Sequence, residues 1–197
     1  MSLEMLLRFS EIIGKLKRVR RAGWVSTAGV DNPESVADHS FRCAILAMCI
    51  GDMINIDSEK LIRMLLLHDV QEAYTGDFDR KVKRELGCRK VASEQRTAIE
   101  AILSSLPVSL RRRYLLLWEE FESQATPEAI LAKDIDKIEL MFQALEYERD
   151  GYDPEKLELF WIDGGGKAKT PLIRNLFRLL SDKRAIERDQ ARTTSGE

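Results

Sequence analysis

The chain has 197 residues, of which 44% are hydrophobic and 32% charged, the size and balance of one soluble globular domain. Its 31 basic and 33 acidic residues give a net charge of −2, so bulk charge provides no basis for binding a nucleic-acid polymer. The longest strongly apolar stretch, residues 44–50, is too short to cross a bilayer, so no membrane partner is expected.

Apolar residues recur at helical spacing along the first half of the chain. They predict helices over residues 3–17, 38–53 and 59–68, the last with Ser58 as its N-cap. Residues 25–33 form a loop of Gly, Asn and Pro that could provide one wall of a pocket.

The second half of the chain continues the helical pattern, with Pro127 at the first position of the longest helix. The predicted helices are residues 91–103, 110–123, 127–149 and 171–188, with a short aromatic segment at 157–162. The glycines of residues 163–167 predict a flexible linker rather than a phosphate loop, because no strand precedes them. We therefore predict an all-α fold, with one domain over residues 1–190 and a disordered tail over residues 191–197.

The three cysteines, Cys43, Cys49 and Cys88, form no CxxC pair. An odd, scattered set favours reduced thiols and a cytoplasmic location. The first five residues lack a basic segment followed by an apolar one, so no signal peptide is predicted.

Both histidines of the chain stand next to an aspartate, in Asp38-His39 and His68-Asp69. Imidazole and carboxylate in apolar segments supply the mixed nitrogen and oxygen ligands of a divalent ion. The alternative is that both histidines are core residues that form hydrogen bonds and bind no metal. If the helix continues past His68, Glu72 lies one turn later on the same face, Gly76 is a helix stop, and Asp77 lies just beyond it.

A third acidic cluster lies in the predicted helix 127–149, where Asp134 and Asp136 flank Ile135. Residues two apart point about 200° away from each other around a helix, so at most one of these aspartates should face a shared site. Helical phase does not decide between them.

Six segments together resemble the HD-domain metal-dependent phosphohydrolases, and more closely the HD-domain 5′-deoxynucleotidases. The segments are residues 18–25, 33–39, 68–72, 75–78, 117–122 and 133–137. The resemblance runs from about Leu3 to Arg184 and implies an HD-domain helical bundle that forms a homodimer.

The resemblance also implies the residues of the site. The family's H…HD…D ligands for one divalent metal fall on His39, His68, Asp69 and Asp136, and its catalytic acids on Glu72 and Asp77. In some members the two acids and a backbone carbonyl, here that of Phe78, bind a second metal. The ion would be Mn, Co or Mg, or else Fe, Zn or Ni.

Substrate contacts are implied at the first motif. Its tryptophan, Trp24, would lie near the nucleoside. Some bacterial members have an arginine just before this tryptophan; here the position is Gly23, and Arg20 or Arg21 would compensate.

The implied reaction is removal of the 5′-phosphate from deoxyribonucleoside or ribonucleoside monophosphates, with metal-bound water as the nucleophile. One alternative is an HD phosphohydrolase that acts on another nucleotide. Another is a sensor that binds metal and nucleotide without turnover, and a third is a purely structural helical protein.

Overall fold

The computed structural model describes residues 3–165 and 167–195, which are helical almost throughout. The α-helices are α1 (Leu3–Gly14), α2 (Val36–Ile54), α3 (Ser58–Leu67), α4 (Glu72–Thr75), α5 (Arg80–Leu86), α6 (Cys88–Leu103), α7 (Val108–Ser123), α8 (Pro127–Arg149), α9 (Pro154–Gly165) and α10 (Pro171–Ser195). Within the described residues there is no β-strand, only one isolated bridge between Arg20 and Ser35. The all-α prediction is confirmed.

The segment between α1 and α2 contains two short non-α turns. Lys15–Lys17 forms a 3₁₀ turn, so the first predicted helix ends earlier as an α-helix. Trp24–Ala28 forms a π-helical turn that ends at Gly29, whose φ of 69° is in the left-handed region. The predicted loop therefore begins with an ordered turn that fixes Trp24.

The helix predicted over residues 59–68 ends at Leu67 in the structure and does not continue past His68. Asp57, not Ser58, caps α3, because its side chain accepts a hydrogen bond from Lys60 N–H. Helix α3 stops at Leu67, and the chain makes tight turns before α4. Gly76, with φ of 71°, ends α4 as predicted.

The C-terminal region is more helical than predicted. Helix α10 continues to Ser195, so the tail predicted as disordered from residue 191 is helical up to that point, consistent with the good helix formers in residues 187–192. Residues 196 and 197 lie outside the described residues. Residues 163–165 of the predicted linker belong to α9, and Gly166 is also outside the description. Although α10 runs for 25 residues, neither it nor any other described helix is long and apolar enough to cross a membrane.

Helix α8 is the centre of the larger of two hydrophobic clusters. Its apolar side chains pack against α2, α3, α9 and α10. A smaller cluster joins α1, α6 and α7. Two buried residues of α8, Asp134 and Glu139, are acidic and have no exposed surface. Acidic side chains are almost never buried without partners, so both must be explained by what they contact.

A glycine allows α2 and α3 to cross closely. A Cβ atom placed on Gly51 would lie 2.7 Å from Ser58 Cβ and 2.9 Å from Ser58 Cα. Gly51 is near the end of α2 and Ser58 begins α3, so the chain turns back there and the two helices run antiparallel. This arrangement places His39, in the first turn of α2, beside His68, which follows α3.

Candidate metal centre

Side chains from three helical regions meet inside the bundle. His39 comes from the first turn of α2, His68 follows α3 directly, and Asp136 lies in α8. His39 Nε2 is 3.3 Å from His68 Nε2 and 3.2 Å from Asp136 Oδ1, and His68 Nε2 is 3.8 Å from the same oxygen. These three atoms are close enough together to bind one ion.

Asp69 joins this group from the side of His68. Its Oδ2 lies 3.1 Å from His68 Nε2 and 3.9 Å from His39 Nε2. The same oxygen accepts a hydrogen bond of 3.0 Å from Arg21 Nη1. The structure thus brings together all the side chains that the resemblance implied as ligands.

Hydrogen bonds assign the same tautomer to both histidines. His39 Nδ1–H donates to the Glu139 carboxylate, and His68 Nδ1–H donates to the Leu65 carbonyl over 2.7 Å. Both Nε2 lone pairs therefore point at each other and at carboxylate oxygens. The Phe121 ring lies edge-to-face with the His68 ring, with the two ring centres 5.3 Å apart, and restrains it further.

A divalent cation fits this donor set. Two imidazole lone pairs and two carboxylates within 3–4 Å repel one another, and a cation between them turns the repulsion into coordination. Burial by itself would raise the pKa of the Asp136 carboxyl, but when no ion is bound a hydrogen bond from protonated His39 and the nearby imidazoles hold the pKa well below its usual range. The carboxylate is therefore ionised and available as a ligand.

The two aspartates of α8 have separate partners. Asp134 faces α10, where its Oδ2 accepts hydrogen bonds from Lys169 N–H at 2.8 Å, Thr170 N–H at 2.7 Å and the Thr170 hydroxyl at 2.8 Å. Asp136 is the one that faces the histidines. The choice that helical phase left open thus falls on Asp136, as the resemblance favoured.

Two residues in contact with the site were not predicted from the sequence. Glu139 accepts from His39 and also from Arg42 Nε over 2.7 Å. Glu139 lies three residues after Asp136, and Arg42 three after His39, so each shares a helix face with a ligand. That spacing is the signal in the sequence that could have identified them.

A buried acid lies beside the ligands. Glu72, the first residue of α4, is only 4% exposed, and its Oε2 has no hydrogen-bond partner among the described residues. Burial, followed by the charges of Asp69 and Asp77, raises the pKa of Glu72 well above its usual value. Asp77 is anchored, because its Oδ2 accepts a hydrogen bond of 2.7 Å from Ala22 N–H.

The two arginines of the first motif differ in their partners. Arg21 is paired with Asp69 at the cluster. Arg20 Nη1 instead donates to the Pro33 carbonyl over 2.9 Å, and its backbone bridges to Ser35. Only Arg21 therefore contacts a predicted ligand.

A pocket adjoins the cluster, and two of the three predicted substrate contacts, Arg21 and Trp24, line it. Its walls include the cationic side chains of Arg21, Arg80 and Lys83, together with Asp77 and the ring of Phe78. Such a mixture suits a small ligand with one anionic end.

Trp24 supports the wall of this pocket from behind. Its side chain is 1% exposed and stacks on Phe160 with ring centres 4.0 Å apart. Trp24 Nε1–H donates to Glu34 over 3.0 Å, and burial, followed by the charge of Glu139, raises the pKa of Glu34 to about 7. Trp24 therefore orients Phe160 and has little surface of its own to offer.

Cys43 is buried next to His39. Its Sγ is 3.6 Å from His39 Nε2, and burial raises the pKa of the thiol to about 12. At neutral pH it is a protonated thiol and a poor metal ligand.

Comparison with known proteins identifies the family of the chain. The HD domain model matches residues 13–169. The chain is 39% identical over 192 residues to the 5′-deoxynucleotidase HDDC2 of Dictyostelium discoideum, covering 90% of this chain and 98% of the relative. It is 37% identical over 183 residues to the human protein of the same name, covering 91% and 86%.

A solved structure shares the fold. A conserved hypothetical protein from Pyrococcus furiosus superimposes with a TM-score of 0.72 at 29% identity, covering 93% of this chain and 99% of that one. The chain belongs to the HD domain family and is a homologue of the 5′-deoxynucleotidase HDDC2 proteins.

Proposed function

We propose that this protein is a metal-dependent phosphohydrolase that removes the 5′-phosphate of deoxyribonucleoside monophosphates. The observation that carries the proposal is the convergence of His39, His68, Asp69 and Asp136 beside a buried acid and a cationic pocket. The names of the relatives supply the substrate class.

The four convergent side chains would hold one divalent ion, and Mn, Co or Mg suits two imidazoles with two carboxylates as well as Fe, Zn or Ni does. When bound, such an ion would neutralise charge on phosphate oxygens and acidify water. The chain's own part is to hold the ligands: hydrogen bonds on both Nδ1 atoms keep both Nε2 atoms turned inward. A second ion, held by Glu72, Asp77 and the carbonyl of Phe78, stays a prediction.

Two carboxyl groups divide the proton transfers. Glu72, with its raised pKa and a free oxygen, is the acid that protonates the departing 5′-oxygen. Asp77, fixed by Ala22 N–H, orients the attacking water and accepts its proton. The opposite assignment would require Glu72 to be ionised without a partner, which burial disfavours.

The cations of the pocket bind the phosphate. The Arg21 guanidinium contacts Asp69 through Nη1, and its planar fork also matches the geometry of a phosphate. Phe160, held by Trp24, provides an apolar surface for the nucleoside.

The test is phosphate release from a panel of deoxyribonucleoside and ribonucleoside 5′-monophosphates, with Mn²⁺, Co²⁺ or Mg²⁺ and in chelator. Metal-dependent release that favours the deoxy forms, and that is lost in His68→Ala, is expected. Full activity of His68→Ala would contradict the proposal. Binding of ion and nucleotide without release would instead support the sensor alternative.

We also propose that the protein forms a homodimer through an apolar groove, lined by residues of α1 and α2 and by Leu66. Phe41, Ile45 and Met48 follow one face of α2 at helical spacing and are 67%, 42% and 41% exposed. Phe41 and Leu66 line the groove together with Leu6. Exposed apolar surface of this kind marks interaction sites. The cytoplasmic location stays a prediction.

A further inference from the structure

We propose that Glu139 is a positioning residue for the metal centre: its buried carboxylate fixes His39 in the tautomer that presents Nε2 to the ion, and Arg42 holds that carboxylate in place. The inference rests on the proposed metal centre and concerns what sets the strength of one of its ligands.

The first step is the contact itself. Glu139 has no exposed surface, and one carboxylate oxygen accepts the Nδ1–H of His39, which is equally buried. Glu139 lies one helical turn after Asp136 on α8, so the same helix supplies a ligand and the support of a second ligand.

The second step is the chemistry of the contact. A neutral imidazole carries its proton on either nitrogen, and only a proton on Nδ1 leaves the Nε2 lone pair for a metal. An anionic acceptor on Nδ1 selects that tautomer, fixes the ring and makes Nε2 more basic. Loss of such support typically costs about 10- to 100-fold in metal affinity.

The third step is what holds the buried carboxylate. Arg42 Nε donates to the second oxygen of Glu139 over 2.7 Å. The other guanidinium nitrogens of Arg42 donate to Glu146 at 2.7 Å and to Gln143 at 2.6 Å. Arg42 is therefore fixed along α8 and compensates the charge that Glu139 would otherwise bury.

The two histidines differ in this respect. His68 donates its Nδ1–H to the Leu65 carbonyl, a neutral backbone acceptor that no side-chain substitution removes. Of the two histidines, only His39 depends on a side chain to accept its Nδ1–H and fix its tautomer. The asymmetry makes His68 an internal control for any change at Glu139.

The contact also argues against a second ion at this place. His39, Cys43 and Glu139 are close enough together to suggest one. However, His39 Nδ1 is already occupied by its proton in the bond to Glu139, so it has no lone pair to offer there.

The first measurement is the dissociation constant for Mn²⁺, from titration calorimetry of Glu139→Gln and wild-type protein. We expect affinity about 10- to 100-fold weaker in the variant. Glu148→Gln is the matched control, because Glu148 is also a nearly buried, arginine-paired glutamate of α8, held by Arg184 and away from His39. It should bind Mn²⁺ as the wild type does. Unfolding in chelator verifies that each variant is folded.

Two outcomes separate this inference from the proposed function. If His39→Ala binds Mn²⁺ as tightly as the wild type, the proposed assignment of the metal centre is wrong. If His39→Ala loses binding while Glu139→Gln retains wild-type affinity, the metal centre stands and the positioning role of Glu139 is overturned.

A spectroscopic readout checks the tautomer directly. The chain has two histidines, so a tag-free protein labelled with ¹⁵N in histidine gives two imidazole spin systems. In the Zn²⁺-loaded, diamagnetic protein we expect Glu139→Gln to shift the Nδ1 resonance of His39 and leave that of His68 in place. Unchanged His39 resonances would overturn the proposal, and Glu148→Gln should change neither histidine.

Discussion

Asp134 and Asp136 of α8 have different roles, because each side chain contacts different partners. Asp136 lies 3.2 Å from His39 Nε2, whereas Asp134 binds the backbone and hydroxyl at the start of α10. The same substitution at the two positions therefore separates metal binding from stability.

We expect Asp136→Asn to abolish tight Mn²⁺ binding and phosphate release, because an amide oxygen is a weaker ligand than a carboxylate. Asp134→Asn should still bind the ion but unfold more easily, by about 1–3 kcal/mol, because a buried acceptor of three hydrogen bonds is weakened. Calorimetric titration and denaturant unfolding measure the two effects. Equal loss of binding in both variants would contradict the assignment.

Glu72 gives a prediction for pH dependence. Its pKa is raised above 4.5 in the fold by burial and by Asp69 and Asp77, so the folded protein binds this proton more tightly than the unfolded chain does. The stabilisation is fully present below the unfolded pKa and is lost as the pH rises from about 4.5 through the folded pKa. In metal-free protein, Glu72→Gln should remove this decline and make the protein more stable than the wild type at neutral pH.

Denaturant unfolding in chelator across a pH series measures this effect. Phosphate release by Glu72→Gln should fall by about 10²- to 10⁴-fold, the usual contribution of a general acid. A variant that is less stable than the wild type at neutral pH would show that ionised Glu72 has a partner after all.

At the scale of single residues, the sequence indicates which side chains suit a metal site, but not which side chains contact one another. Both histidines and Asp69 stand out because their types and neighbours suit a metal. Arg42 and Glu139 look like ordinary helix charges until folding places α2 against α8. Asp38, next to His39, completes the capping box of α2: its carboxylate accepts from the N–H of the N-cap residue Ser35 at 2.9 Å, so sequence proximity alone was not a guide to the site.

The antiparallel pair of α2 and α3 carries the histidines at one end, and at the other end a glycine allows the two helices to approach closely. We expect Gly51→Ala to destabilise the protein by about 1–3 kcal/mol, because the new Cβ would meet the backbone of Ser58 at 2.9 Å. Since the helices must separate, Mn²⁺ affinity should also fall. Thermal unfolding and calorimetry provide the measurements.

Gly14→Ala is the matched control for that change. Gly14 ends α1 with φ of −57°, and a Cβ there meets nothing within 4 Å. Alanine should be neutral or slightly stabilising at this position. If both variants lose stability equally, the close crossing is not the cause.

Helix periodicity predicted most of the elements but not their interruptions. The break after α3 has a local cause: the ring of His68 donates to the Leu65 carbonyl, and the chain turns instead of continuing. Helix α5 is seven residues long and starts from the Asp79 cap, which accepts from Val82 N–H, so it is too short to show a clear apolar period.

At the scale of the molecule, the ion would tie together parts of the chain that are far apart in sequence. His39 and Asp136 are separated by 97 positions. Because the unfolded chain has no preformed site, binding free energy is added to the free energy of folding. The metal-loaded protein should therefore be the more stable form.

We expect the melting temperature to rise with Mn²⁺ concentration, with about 2.7 kcal/mol of stabilisation when the free ion is 100 times its dissociation constant. Chelator should reverse the rise, and Asp136→Asn should not show it. The check is thermal unfolding over a series of metal concentrations. An equal rise in Asp136→Asn would point to ions bound elsewhere.

The apolar groove predicts the state of assembly. Wild-type protein should sediment as a dimer, and Phe41→Glu as a monomer, because a charge placed in an apolar contact must be desolvated. Val108→Glu is the control: Val108 is 74% exposed on α7 and does not line the groove. A monomeric wild type, or equal effects of the two variants, would contradict the proposed interface.

The thiol of Cys43 behind His39 makes the centre vulnerable to thiophilic ions. Hard and borderline ions meet nitrogen and oxygen donors, since the thiol keeps its proton at neutral pH. Cadmium or mercury binds sulfur strongly enough to displace that proton, and the sulfur is only 3.6 Å from a ligand nitrogen. Traces of such metals are therefore expected to inhibit phosphate release, and Cys43→Ser should tolerate them.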